Sequence, residues 1–318
     1  LDPLQFFTAS RLVVVAGKGG VGKTTVSAVM ARAAADCGLR VLAVELEGKA
    51  ALGELLGGDG PLPVDEVTLA EGLGPAGTGT IRARTLTASS ALTEYLDTHG
   101  LRRVSKRLVT TGIVDLVATA APGVDDLLVL GKLKQIERGA PDIDLVVVDG
   151  PAAGHAITFL MAPAGLADAA ASGPINTQAR DVLEMLGDSA RCQVLLVTLP
   201  ETTPVNELIE TAEALENRVG VHLGPVVVNG VDLGDDVPDP HDVPAGELPK
   251  GRDGTALREA ARFRNQRRAR QHQELDRLGG RLALPLLRLP LIATAGITAG
   301  DVVDVAAALT DEIRGLDG

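Results

Sequence analysis

Nine consecutive residues concentrate the chemistry available to this chain: Gly17-Lys18-Gly19-Gly20-Val21-Gly22-Lys23-Thr24-Thr25. The glycines let the backbone turn so that successive N–H groups point inward and form a nest for an anion. Lys23 adds a mobile cation suited to the β- and γ-phosphates of a nucleotide, and the Thr24 hydroxyl is placed to hold magnesium. The spacing satisfies the pattern G-x-x-x-x-G-K-[ST], which is meaningful only between a strand and a helix. Both flanks fit. Leu12 to Ala16 reads as a buried strand, and an Ala-rich helix follows from about Lys23 to Cys37. The positive end of that helix adds to the field of the nest. Gly19, Gly20, Val21, Gly22, Lys23, Thr24 and Thr25 are therefore the expected nucleotide contacts.

Other reactive positions follow from where strands end, because ligands of doubly wound sheets bind at the carboxyl ends of the strands. Strands are expected at Arg40 to Glu47, Thr80 to Thr85, Leu145 to Val148, Val194 to Thr198, Val226 to Val228 and Leu286 to Leu289. Asp149 closes the third of these and is expected to organise magnesium through water. Helices alternate with them, at about Ala50 to Leu56, Ala156 to Met161, Asn176 to Leu186, Thr255 to Leu278 and Ala299 to Arg314. One more is expected to open with Thr203 as its cap and Pro204 at its first position. Gly57 to Gly79 reads as Gly- and Pro-rich connection.

This alternation predicts an α/β fold, a doubly wound, mostly parallel sheet covered on both faces. The chain is expected to form a single domain over 1–318, with a helical subdomain inserted at about 86–140. Asp232 to Gly251 is acidic and proline-rich, which predicts an exposed, mobile loop over about 232–251.

Composition narrows the function classes. A net charge of −12 argues against a general binder of nucleic acid or anionic membrane. Aromatic residues make up 2% of the chain, so its core must be built from Val, Leu, Ile and Ala. Cys37 and Cys192 lie far apart without a C-x-x-C, so neither a zinc site nor a disulfide framework is expected. Leu1 to Ser10 lacks the features of a secretory signal, and no stretch reads as an integral membrane segment, so a cytoplasmic, soluble protein is expected. Arg258, Arg262, Arg264, Arg267, Arg268 and Arg270 crowd one helix. The reading adopted is a solvated helix paired with local acids, with docking onto an acidic partner as the alternative.

Lys18 is not demanded by the general phosphate-loop pattern, and with it the loop resembles the deviant Walker A motif of the MinD/ArsA/nitrogenase-iron-protein superfamily. That resemblance implies a dimer in which Lys18 reaches the partner's nucleotide. Asp149-Gly150-Pro151-Ala152-Ala153-Gly154-His155, with Phe159, Leu160 and Pro163 beyond it, resembles switch II of the ArsA/GET family of arsenite-pump and tail-anchored-protein-targeting ATPases. The family shows D-T-A-P-T-G-H there; the proline is shifted by one position in this chain. The resemblance implies a switch role for Asp149, Gly154 and His155. It also implies that Glu47 takes the place of the family's switch I aspartate and orients the attacking water, a register two residues shorter choosing Glu45 instead. Asn229 resembles the residue that reads the adenine edge, and Leu289-Pro290-Leu291-Ile292 the loop over the base.

These likenesses together imply a magnesium-dependent ATPase with Lys18, Lys23 and Glu47 in catalysis and Thr24 and Asp149 at the metal. The dimer would form with a second copy or with a paralogous ATPase, and serve an unknown protein client. A ParA/MinD-type positioning ATPase, or a weakly hydrolysing regulatory subunit, stays open as an alternative.

Overall fold

Strand β1 (Leu12–Gly17) turns Leu12, Val14 and Ala16 into one apolar layer and Val13 and Val15 into another. Successive strand side chains point to opposite faces, so burial on both sides requires helices above and below. The computed structural model describes residues 1–46, 51–98, 123–151, 154–235, 237–238 and 252–316. Within them β1 is joined by β2 (Arg40–Leu46), β3 (Val67–Leu73), β4 (Gly79–Leu86), β5 (Leu145–Asp149), β6 (Cys192–Thr198), β7 (Val226–Val231) and β8 (Leu286–Pro290). The sheet order is β3-β4-β2-β5-β1-β6-β7-β8. Every neighbouring pair is parallel except β3 with β4.

One face carries α1 (Pro3–Thr8), α2 (Lys23–Asp36), α3 (Ala51–Leu55) and α10 (Ala299–Arg314). The opposite face carries α4 (Ala88–Thr98), α5 (Val124–Gly139), α6 (Gly154–Ala169), α7 (Pro174–Leu186), α8 (Thr202–Arg218) and α9 (Arg252–Arg281). Helix α2 is buried nearly all round, because Ala28, Ala31, Ala33, Ala34 and Ala35 let it fit between the sheet and α10. No helix among the described residues is long and apolar enough to cross a membrane.

Several expectations are corrected. The stretch 57–79 holds β3, an antiparallel edge strand whose register slips twice along β4. Its Val67, Leu69, Ala70 and Leu73 are only partly buried against the core, so its apolar pattern is weak. Helix α6 continues past Met161 and through Pro163. Helix α8 starts at Thr202 with Glu201 in the cap position, not at a Thr203 cap. The Thr202 hydroxyl is drawn off to Glu274 on α9, at 2.7 Å. Pro204 still falls in the first turn, where its missing N–H has no partner to lose. Strand β7 runs beyond Val228 to Val231 and so includes Asn229.

Of the helical stretch expected at 86–140, α4 and α5 are described and 99–122 lie outside the described residues. Glu94 of α4 pairs with Arg84 of β4 and with Lys132 of α5, the latter at 2.6 Å. Burial alone would raise the Glu94 carboxyl, but the two cations outweigh it and hold it below the usual range.

Of the loop expected at 232–251, residues 236 and 239–251 also lie outside the described residues. The start of that loop is tied to α9: Arg264 makes a two-pronged contact with Asp232, both bonds at 2.8 Å, and Arg268 donates to the Asp235 carbonyl. These contacts agree with an arginine helix paired to local acids.

Candidate nucleotide site

The Gly-rich loop between β1 and α2 is shaped by two close approaches. A side chain at Gly17 would place its Cβ 2.4 Å from the Val197 carbonyl oxygen of β6. At Gly22 the backbone is left-handed (φ +88°), and a Cβ would lie 2.3 Å from the Asn229 Nδ2. Asn229 uses that nitrogen to donate to the Val21 carbonyl at 3.0 Å, so β7 buttresses the loop from the side. Helix α2 opens at Lys23 with Gly22 as its cap, a residue that has no side chain to cap with. The first N–H groups of a helix have no partner within it, and an anion in the loop can accept from them.

Lys23 is 7% exposed, and its Nζ donates to the Lys18 carbonyl at 3.2 Å, across the loop. One residue on, Thr24 Oγ1 donates to Asp149 Oδ2 at 2.8 Å. Ser27, one helical turn later, donates to the other carboxylate oxygen at 3.1 Å. Ser27 was not among the sequence candidates; the available signal was a hydroxyl three residues after Thr24, on the same helix face.

Glu45 is fully buried in β2 and stands in register with Asp149 on β5. Glu47 lies outside the described residues. Gly154 and His155 fall in the first turn of α6, shortly after β5 ends at Asp149. Asn229 and Pro290 are brought together on adjacent strands, Pro290 opposite Val231, with Leu291 N donating to the Val231 carbonyl at 2.8 Å.

Lys18 stands at the mouth of the loop with 53% of its side chain exposed, and its ammonium pairs with Glu207 of α8. No local pattern could have given this partner, since the two residues are 189 positions apart.

The donors suit magnesium. Thr24 offers a hydroxyl and Asp149 a carboxylate, both hard oxygen ligands. Among the described residues no group of three or more His, Cys, Asp or Glu could hold a metal ion by itself. Magnesium tolerates such a sparse protein contribution, because it keeps several waters and shares phosphate oxygens. Zinc in a structural site requires a full set of nitrogen and sulfur ligands.

Residues 12–237 match the family described as the CobQ/CobB/MinD/ParA nucleotide binding domain. The chain belongs to this family. The matched span runs from β1 past β7, so the glycine loop, Asp149 and Asn229 all fall within the family domain. The chain is 34% identical over 225 residues to the ATPase BagA of Mycobacterium tuberculosis, covering 69% of this chain and 64% of that protein. It therefore spans somewhat less than two-thirds of that relative's length. It is 30% identical over 233 residues to an arsenical pump-driving ATPase of Escherichia coli, covering 70% of this chain and 35% of the relative. Domain and relatives together make this an ArsA-like member of the MinD/ArsA superfamily.

Proposed function

We propose that the chain is a magnesium-dependent ATPase working as a dimeric, nucleotide-driven conformational switch for a protein client. The observation that carries this reading is the Thr24–Asp149 contact directly behind the start of α2. It joins a phosphate nest to a buried carboxylate at the carboxyl end of the sheet, as transfer of the γ-phosphoryl group to water requires. The names of the relatives support hydrolysis of ATP as the reaction.

In this reading the loop amides and Lys23 receive the β- and γ-phosphates. Bound magnesium supplies charge neutralisation across their oxygens. Thr24 and Asp149 would hold it. Asn229 and Pro290 take the base. Glu47 orients the attacking water; the water oxygen bonds to the γ-phosphorus as the bond to the ADP oxygen breaks, leaving ADP and phosphate. Lys18 comes from the partner subunit, a second copy or a paralogue, so that hydrolysis waits for dimer closure. Gly154 and His155, at the head of α6, carry the loss of the γ-phosphate into the helices of that face, the inserted helical region included.

Calorimetric titration of ATP, with and without magnesium, tests the reading. Lys23→Ala is expected to abolish tight binding, and Asp149→Asn to remove the gain that magnesium brings. Unchanged affinity in Lys23→Ala overturns the phosphate-site assignment.

A further inference from the structure

Each oxygen of Asp149 accepts from a hydroxyl on helix α2. Oδ2 accepts from Thr24 at 2.8 Å and Oδ1 from Ser27 at 3.1 Å, with Ser27 and Asp149 each 1% exposed. Position 27 lies in an apolar, buried stretch of α2. Its neighbours Val26, Ala28, Ala31 and Met30 are buried apolar residues, and alanine would be the better helix former. A buried serine in a helix commonly satisfies its hydroxyl on a carbonyl of its own preceding turn. This one reaches across to β5 instead.

From this geometry we infer that Ser27 is a positioning residue for Asp149, fixing its carboxylate so that Oδ2 stays turned toward Thr24 and the magnesium position. The inference rests on the magnesium-ATP reading above and assigns it a further residue. A carboxylate held at one oxygen can swing about its terminal bond, whose torsional wells are broad. Held at both oxygens by donors on the same helix face, it takes its orientation from α2, the helix that also carries Lys23. Ser27 would not touch the nucleotide or the metal. It acts through Asp149, as outer partners of ligating carboxylates do.

The test compares Ser27→Ala and Ser27→Thr with the unaltered full chain, with Asp149→Asn as reference. Nucleotide affinity is titrated by calorimetry at increasing magnesium, and Mn2+ binding is followed by electron paramagnetic resonance in the presence of ATP. In Ser27→Ala the metal concentration for half-maximal effect should rise on the order of 10-fold, the scale of losing such an outer contact. Metal-free nucleotide affinity and the melting temperature should stay close to those of the unaltered chain. Ser27→Thr, which keeps the hydroxyl, should restore most of the metal response.

An unchanged metal response in Ser27→Ala overturns the inference. A parallel fall of metal-free affinity, metal response and melting temperature, without rescue by Ser27→Thr, also overturns it by marking a packing role. If Asp149→Asn leaves the metal response untouched, the magnesium-site reading falls, and the role of Ser27 with it.

Discussion

Replacing Lys18 by alanine separates two tasks that the loop lysines can perform. In the single chain the Lys18 side chain is 53% exposed and rests on Glu207, whose side chain is 26% exposed. An ion pair this accessible to water contributes ~0–1 kcal/mol, so its loss should lower the melting temperature by only a few degrees at most. The same ceiling limits what Glu207 can do as a restraint. Freeing Lys18 costs no more than about 1 kcal/mol, roughly a factor of five in population. By analogy with an arginine finger, a cation delivered into a partner's site during phosphoryl transfer is worth on the order of 10³-fold or more in rate. The second effect is far larger than the first. Lys18→Ala should therefore keep ATP binding by the single chain, where the amides and Lys23 remain, yet lose turnover on the order of 10³-fold. Glu207→Gln should change turnover by less than about fivefold, the limit set by a half-exposed pair.

Phosphate release measured over a range of protein concentrations, beside calorimetric binding, reads both quantities. Mixing Lys18→Ala with Glu47→Ala chains then distinguishes action in trans from action in cis. In a dimer of the two, one site lacks both groups and the other has both, so activity should partly return. Wild-type turnover by Lys18→Ala would refute the reasoning outright. Failure of mixing to restore activity, with subunit exchange demonstrated, would refute the trans role.

Gly22→Ala should weaken ATP binding by on the order of 10-fold or more while circular dichroism stays native. The new Cβ meets Asn229 at 2.3 Å in a left-handed backbone, at a strain of about 1–3 kcal/mol; unchanged affinity would show that the loop needs no glycine there. Burial pushes the Cys192 thiol up to about 12, so it should resist iodoacetamide at pH 8 until the protein unfolds. The half-buried Cys37, raised by burial and by Asp36, should label first; mass spectrometry of the labelled peptides decides the order. The Arg264 guanidinium draws the Asp232 carboxyl down to about 2. Because the folded value is depressed, this contact gives its full stabilisation above the unfolded carboxyl value of about 4 and loses it as pH falls through about 2. A carboxyl NMR titration should find Asp232 still ionised at pH 3, and Arg264→Ala should return it to the ordinary range.

What could be read from the sequence divides by distance along the chain. The β1–loop–α2 unit was legible because its strand, nest, lysine and hydroxyl are contiguous, and each has a local signature. Asp149 was legible because a buried β-branched run ends on it. Strand β3 was not: it is an edge strand, antiparallel and only half-covered, so Val67, Leu69 and Leu73 never form a continuous apolar run. The start of α8 was misplaced because the Thr202 hydroxyl answers to Glu274, which no local pattern reveals. The sequence marks Asn229 only by its resemblance to a residue at the base, and its bond to the Val21 carbonyl depends on how β7 lies against the loop. For Ser27 the sequence offers only its three-residue spacing from Thr24, and the bond to Asp149 depends on how β5 lies against α2.

The place of β1 in the sheet also fixes when the site can come into being. Leu12 pairs with Val146 on one side and with Cys192 on the other, so the central strand waits for partners encoded far downstream. At a synthesis rate of about 5–20 residues per second, the glycine loop leaves the ribosome roughly 10–40 s before β6, which walls in Gly17, has been made. Pairings of such sequence separation are also slow to close once the chain is free. The loop is thus among the first parts translated and among the last to acquire its shape. A nascent chain would gain affinity for nucleotide in one late step, and a chain released before β6 should have none.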